Sequence, residues 1–293
     1  MQLAIIQLIR PYQWVKNGFI FLPMFFSGQL LNPTIQFSSL VAFIAFSLAA
    51  SSIYCFNDII DIASDRLHPE KCMRPIASGV ISIKMAYILM SICFAASILI
   101  LFLCGGEQRY SLMALIAFYY LMNIAYCIFL KRYAIVDVIV ISLGFVLRIF
   151  VGGTATNIWL SEWIVIMTFL LALLLAFAKR RDDVVLLQNT GVSHRKNTNR
   201  YNLDFINQVM TVISTVTIVA YIMYTLSPDV IERFQSRYIY ITAFFVLVGI
   251  IRYLQLTIVD LISGNPTKVL LKDRFIQICI LGWIASFLII IYL

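Results

Sequence analysis

Apolar stretches close to twenty residues long recur along this 293-residue chain, and they decide what it can fold into. A helix crossing a bilayer core of about 30 Å needs about that many residues in one run. Such runs lie at roughly 17–31, 37–57, 85–104, 111–130, 134–153, 160–178, 207–226, 238–258 and 274–293, the first being short and interrupted by Pro23. Composition agrees, with 62% of residues hydrophobic and 12% charged, where soluble domains run about 25% charged. Water could not solvate so much apolar surface. The expected fold is an all-α membrane protein of about nine transmembrane helices. Short connections, with no internal repeat or low-complexity tract, predict a single domain over 1–293. The start, MQLAIIQLIRPYQW, lacks the basic stretch and small-residue cleavage site of a secretory leader, so the mature chain is expected to begin here.

Lysine and arginine placement predicts orientation, because these residues collect on the cytoplasmic side. With nine crossings and a cytoplasmic N-terminus, eighteen of the 22 basic residues fall inside, only Arg109, Arg233 and Arg237 fall outside, and Arg148 lies within a helix. Missing any one crossing would scramble this partition. The C-terminus is then outside. The loops at 58–84 and 179–206 are longer and more charged than the outer loops GGEQRYS and SPDVIERFQS. Chemistry is therefore expected on the cytoplasmic face of a multi-pass protein of a bacterial inner membrane. The net charge of +8 reflects this bias in part. It also attracts anionic substrates and lipid headgroups. Nucleic acid is not expected as a partner, and the oligomeric state is left open.

Cys55, Cys72, Cys93, Cys104, Cys127 and Cys279 include no C-x-x-C pair, and most sit in apolar runs. They read as small buried hydrophobes rather than disulfides or zinc ligands. With only His68 and His194 available, any metal here should be hard and oxygen-liganded.

The strongest motif is N-D-I-I-D-I-A-S-D, Asn57 to Asp65. Asp58, Asp61 and Asp65 stand at i, i+3 and i+7, one face of a helix. Three carboxylates held together repel unless a cation sits among them, and Mg2+ shared with substrate phosphates would suit. Asn57 adds a neutral ligand or orienting group. The alternative is a solvated acidic helix end paired with Arg66 and Lys71. Acids closing an apolar helix argue for the metal. In the following R-L-H-P-E-K-C-M-R-P-I-A-S-G, Lys71 and Arg74 could reach phosphate oxygens, or form an ordinary basic loop. His68 reads as a loop-fixing hydrogen bonder rather than a base.

Three further clusters carry charge. In R-P-Y-Q-W-V-K-N, Tyr12 and Trp14 suit an interfacial belt, while Lys16 and Asn17 could face an anionic group. Tyr126, Lys131, Arg132 and Asp137 precede Arg148. Asp137 and Arg148 are close to three turns apart, on one face at about 16 Å. An arginine that deep in lipid is a functional candidate, or else a structural one bonded to neighbouring carbonyls. Gly144, Gly152 and Gly153 would let helices approach closely. In A-K-R-R-D-D-V-V, Lys179, Arg180, Asp182 and Asp183 could complete a diphosphate clamp or form a snorkelling helix end.

Asn57 to Asp65 resembles the N-D-x-x-D-x-x-x-D motif of the intramembrane UbiA-type prenyltransferase superfamily. That resemblance implies a nine-helix bundle with a cytoplasm-facing cavity and magnesium holding a diphosphate. R-P-Y-Q-W-V-K-N, D-R-L-H-P-E-K-C-M-R-P-I-A-S-G and D-V-I-V-I-S-L-G-F-V-L-R resemble its decaprenyl-phosphate phosphoribosyltransferase branch. Members of that branch move 5-phosphoribose from phosphoribosyl diphosphate to a polyprenyl phosphate. Two departures stand out. Prenyl-transferring members carry a second D-x-x-x-D motif where this chain has Lys179-Arg180-Arg181-Asp182-Asp183, and Cys72 replaces an expected basic residue.

The resemblance implies that Asp58, Asp61 and Asp65, with Asn57, hold magnesium on the donor diphosphate. Lys71, Arg74 and Lys179 would neutralise the leaving group, with Arg180 beside them. Lys16, Lys131 and Arg132 would orient the acceptor, and Asn17, Tyr126, Asp137 and Arg148 would line the substrate site. A prenyltransferase using the same aspartates on a prenyl diphosphate, with an aromatic or other small acceptor, is the alternative. A lipid carrier is disfavoured, because transporters bury acids near the midplane rather than crowding them at one face.

Overall fold

A computed structural model describes residues 2–67, 71–190, 198–261, 269 and 272–292. The described residues form helices and no strand. They fall into two compact units, Met1–Leu160 and Ser161–Leu293.

The first unit opens with α1 (Gln2–Ile9), a 3-10 segment (Pro11–Phe21) and α2 (Leu22–Phe26). There follow α3 (Pro33–Ile60), the short α4 (Ile62–Arg66), α5 (Ile83–Cys104), α6 (Arg109–Ile128) and α7 (Val136–Thr156). Local chemistry sets the starts. The Asn32 side chain accepts from Thr34 N at 3.1 Å, and Pro33 takes the first helical position, where no N–H is needed. Ser82 caps α5 through Met85 N at 3.3 Å.

Helix α3 is the core of this unit and packs against α5, α6, α7 and the 3-10 segment. Its buried residues are mostly small, including Ala42, Ala45, Ala49, Ala50, Ser47, Ser51 and Ser52. In lipid, close approach and hydrogen bonds hold helices together, because burying apolar side chains gains little. Ser52 Oγ donates to Met90 O at 2.8 Å, and Ser97 Oγ donates to Ala45 O at 2.6 Å, stitching α3 and α5 in both directions. On α7, a Cβ added to Gly152 would lie 2.1 Å from the Ile20 carbonyl oxygen, so only glycine permits this contact.

The second unit contains α8 (Glu162–Thr190), α9 (Leu203–Leu226), α10 (Pro228–Phe234), α11 (Thr242–Ile258) and α12 (Arg274–Tyr292). A buried polar knot ties three of them. The Tyr221 hydroxyl meets Thr242 Oγ1 at 2.8 Å and accepts from Trp283 Nε1 at 2.6 Å. Asp273 accepts from Ile276 N at 2.9 Å at the start of α12 and pairs with Arg252 at 2.8 Å. The Arg252 hydrogen bond holds the Asp273 carboxyl below the ordinary carboxylate range.

Among the described residues, seven helices are long and apolar enough to cross a membrane, and Arg274–Ile290 is a shorter apolar one. The protein is a multi-pass integral membrane protein. The run at 17–31, expected as one crossing, is instead the 3-10 segment followed by a five-residue helix. Pro23, which lacks an N–H, and Gly28, at φ 73°, interrupt any longer helix. His68, Glu70, Arg195, Lys196 and Lys268 lie outside the described residues.

Gly152→Ala should destabilise the protein by about 1–3 kcal/mol, because backbone must move to admit the methyl group. Gly18→Ala, with nothing within 4 Å of its added Cβ, should leave stability unchanged or slightly raised. Thermal unfolding of both variants in detergent checks the pair.

Candidate active site

The Asn57–Asp65 motif straddles a helix break. Helix α3 ends at Ile60, Asp61 sits between helices at φ −91° and ψ 5°, and α4 carries Asp65. Two backbone bonds bridge the break, Asp61 N to Asn57 O at 2.9 Å and Asp65 N to Asp61 O at 2.8 Å. The three carboxylates therefore do not all meet one partner. Asp58 and Asp65 converge on Arg74, whose Nη1 donates to Asp58 Oδ1 at 3.0 Å and Asp65 Oδ2 at 2.7 Å. Asp61 pairs with Lys131 at 2.5 Å.

Asp58 is the most enclosed of the three, at 1% exposure. Its second cation is Arg10, whose Nη2 reaches Oδ1 at 2.5 Å and Oδ2 at 2.7 Å. A buried carboxylate without such partners would be strongly destabilising. The Asp58 charge and hydrogen bond outweigh the effect of burial on Arg10, so its pKa lies above the ordinary arginine value. At Asp65, burial raises the carboxyl above its ordinary range despite the opposing pull of Arg74.

The chain around Arg10 is built to aim it. Arg10 takes a left-handed conformation, φ 52° and ψ 58°, between α1 and the 3-10 segment. Ser51 Oγ on α3 donates to Ile9 O at 2.7 Å and accepts from Trp14 Nε1 at 3.0 Å. The guanidinium also lies 5.3 Å from the Tyr54 ring centroid. Sequence reasoning gave Arg10 no role. Its available signal was the placement of an arginine directly before Pro11, at the break between α1 and the next segment.

Further along the same segment, Asn17 is buried and donates to Ser47 Oγ at 2.8 Å. Its Oδ1 accepts from Arg148 Nε at 2.8 Å, while Arg148 Nη1 donates to Gly144 O at 2.6 Å. Arg148 is 6% exposed. Its guanidinium lies 4.8 Å from the Phe46 ring, 5.1 Å from Phe145 and 5.5 Å from Tyr119. Lys16 is half-buried next to Asn17.

The other sequence candidates are distributed as follows. Asn57 Oδ1 faces Cys127 Sγ at 3.5 Å. Lys71 is half-buried in a 3-10 turn with its charge acting on Asp65, and Tyr126 is half-buried on α6. Arg132 is exposed beside Lys131, and Asp137 is buried in the first turn of α7. Lys179, Arg180, Asp182 and Asp183 belong to the second unit, on α8. There Arg180 pairs with Asp183 at 2.9 Å. Neighbouring Arg181 donates to Asn207 Oδ1 at 2.9 Å and to Thr257 O at 2.7 Å, which ties α8 to α9 and α11.

Residues 19–259 match the model of the UbiA prenyltransferase family. The chain belongs to the UbiA prenyltransferase family. Among its UbiA relatives, a decaprenyl-phosphate phosphoribosyltransferase from Mycolicibacterium smegmatis is 33% identical, covering 97% of this chain and 91% of the relative. A protein of the same name from Corynebacterium glutamicum is 30% identical, covering 99% of this chain and 87% of its own. A UbiA homolog from Archaeoglobus fulgidus bound to GPP and Mg2+ superposes with a TM-score of 0.72 at 17% identity, over 99% of this chain and 100% of that one.

The donor set at the UbiA motif suits magnesium. Asp58, Asp65, Asp61 and Asn57 offer hard oxygen atoms, and Asp58 and Asp65 already share one cationic nitrogen. Among the described residues, no three acidic, cysteine or histidine side chains close on a single point. Magnesium needs only one or two protein carboxylates when substrate phosphates supply further ligands.

Because Arg10 and Arg74 share Asp58, their substitutions should be coupled. Arg10→Met and Arg74→Met should each destabilise by about 1–3 kcal/mol, and the double variant should depart from additivity by about 0.5–3 kcal/mol. Chemical or thermal denaturation of the four proteins reads this cycle. Strict additivity would mean that the two arginines do not meet at one carboxylate.

Proposed function

We propose that this protein transfers 5-phosphoribose from phosphoribosyl diphosphate to a polyprenyl phosphate, with magnesium-assisted release of diphosphate. The observation that carries the reading is the amount of cationic charge in the first unit. Arg10, Arg74 and Lys131 contact the acids, while Lys16 and Arg148 contact no acid among the described residues. A prenyl diphosphate with a small neutral acceptor offers one diphosphate. A phosphoribosyl donor and a lipid phosphate together offer such a site one diphosphate and two separate monophosphates. The names of the relatives support the same choice.

In this mechanism an oxygen of the acceptor phosphate attacks C1 of the ribose. The bond from C1 to the diphosphate oxygen breaks, and diphosphate departs with the electron pair. The acceptor is already anionic, so no strong general base is required. Asp58, Asp61 and Asp65, with Asn57, would hold magnesium, which when bound would neutralise charge on the departing group. Arg74 and Lys71 stand beside these acids and stabilise the same developing charge by preorganised electrostatics. Lys131 and Arg132 orient the acceptor, and Tyr126 and Asp137 line the site. For Lys179 and Arg180 of the second unit, a role in donor binding is proposed on sequence alone.

The proposal also covers one transferase domain over 1–293, with its site facing the cytoplasm of a bacterial inner membrane. Nine crossings with the N-terminus inside belong to it. Laid end to end, the 3-10 segment at about 2.0 Å per residue and α2 at about 1.5 Å per residue would reach about 30 Å, enough to serve as the first crossing.

Purified protein in nanodiscs with magnesium should convert phosphoribosyl diphosphate and a polyprenyl phosphate to phosphoribosylated lipid and diphosphate. Product only from a prenyl diphosphate and 4-hydroxybenzoate would overturn the donor and keep the site. Asp58→Asn and Asp61→Asn should each lower turnover by at least about a hundredfold, losing charge stabilisation worth about 3 kcal/mol, while thermal unfolding remains cooperative. Near-normal turnover in both would remove the metal assignment.

A further inference from the structure

A buried charge without a counter-charge is costly, and the cost is relieved when an anion binds. The first unit has two cations without a counter-charge among the described residues, Arg148 buried and Lys16 half-buried. Arg148 sits in a membrane-spanning helix, ringed by Phe46, Phe145 and Tyr119, with Nε and Nη1 bonded to the neutral oxygens of Asn17 and Gly144. Among the described residues it contacts no carboxylate, and Nη2 makes no hydrogen bond. Lys16 adjoins Asn17 and makes no hydrogen bond or ion pair among the described residues. The nearby acids are otherwise engaged, Asp58 by Arg10 and Arg74 and Asp61 by Lys131.

We propose that Lys16 and Arg148 form a phosphate-monoester subsite separate from the diphosphate site at Asp58 and Asp65. Lys16 Nζ and Arg148 Nη2 donate to the phosphate oxygens as charge-assisted hydrogen bonds. Asn17 is a positioning residue, since its Oδ1 fixes the guanidinium and its Nδ2 is itself anchored on Ser47. The subsite deepens the phosphoribosyl transfer reading and rests on it for the source of its ligand. That source is either the phosphate of the lipid acceptor or the 5-phosphate of the donor.

Three probes decide the matter on the full chain in nanodiscs. Farnesyl phosphate represents the acceptor, ribose 5-phosphate the donor end, and magnesium diphosphate the Asp58 site. In Lys16→Met, binding of one monophosphate should weaken about tenfold, while magnesium diphosphate keeps its affinity. The weakened probe names the source, and the KM of the corresponding substrate should rise with it. Arg148→Lys should weaken the same probe, and Lys16→Met keeps the test sharp if the Arg148 variant fails to fold. Unchanged affinity for both monophosphates in Lys16→Met would overturn the subsite. Equal loss for all three probes would overturn its separateness. If the wild-type protein forms no phosphoribosylated lipid, the proposed function falls, and monophosphate binding still decides the subsite.

Discussion

A carboxylate buried between two guanidinium groups organises the first unit. Asp58 is nearly inaccessible, and both of its oxygens are contacted by Arg10 while Arg74 shares one of them. Arg10 comes from the segment before the first membrane-length helix, and Arg74 from the loop after α4. One side chain at the end of α3 therefore fixes two irregular segments that have no regular helix to hold them. The serine contacts serve the same end, since Ser51 and Ser47 hold the backbone and side chains of residues 9 to 17 against α3. Small residues on α3 make these approaches possible, so the packing that suits lipid also delivers the charges.

The break at Asp61 has a functional meaning in this arrangement. A continuous helix would point three acids in one direction. The interruption sends Asp61 to Lys131 and leaves Asp58 and Asp65 as a pair around Arg74. Each acid is thus paired with a base that is itself suited to phosphate. Under the proposed function, Asp58, Asp61 and Asp65 would be the residues to hold magnesium, and Arg10, Arg74 and Lys131 would then be available to phosphate oxygens. Such an exchange of ion pairs would avoid exposing bare charge in a low-dielectric surrounding.

Much of this was legible in the sequence, for identifiable reasons. Helices in lipid must be long and apolar, so the longer runs could be read from hydropathy alone. The Asn57–Asp65 motif stood out because acids at the end of an apolar helix are rare. At 17–31 the apolar run was legible but its backbone was not, because hydropathy says nothing of helix type and the stretch combines a 3-10 segment with a short α-helix. Arg10 was missed because its role depends on a left-handed backbone and a contact 48 residues away, neither of which leaves a local pattern. Arg148 was flagged by its depth, but its neutral partners Asn17 and Gly144 could only be found in three dimensions.

The most direct test of the central claim is equilibrium binding of diphosphate to the purified protein with and without magnesium, comparing wild type with Asp58→Asn. Exchange of ion pairs at Asp58 predicts tight binding that requires magnesium in the wild type and is lost in the variant, which still unfolds cooperatively though at a lower temperature. Magnesium-independent binding of equal strength in both proteins would contradict it, and would leave Asp58 as a structural anchor for Arg10 and Arg74.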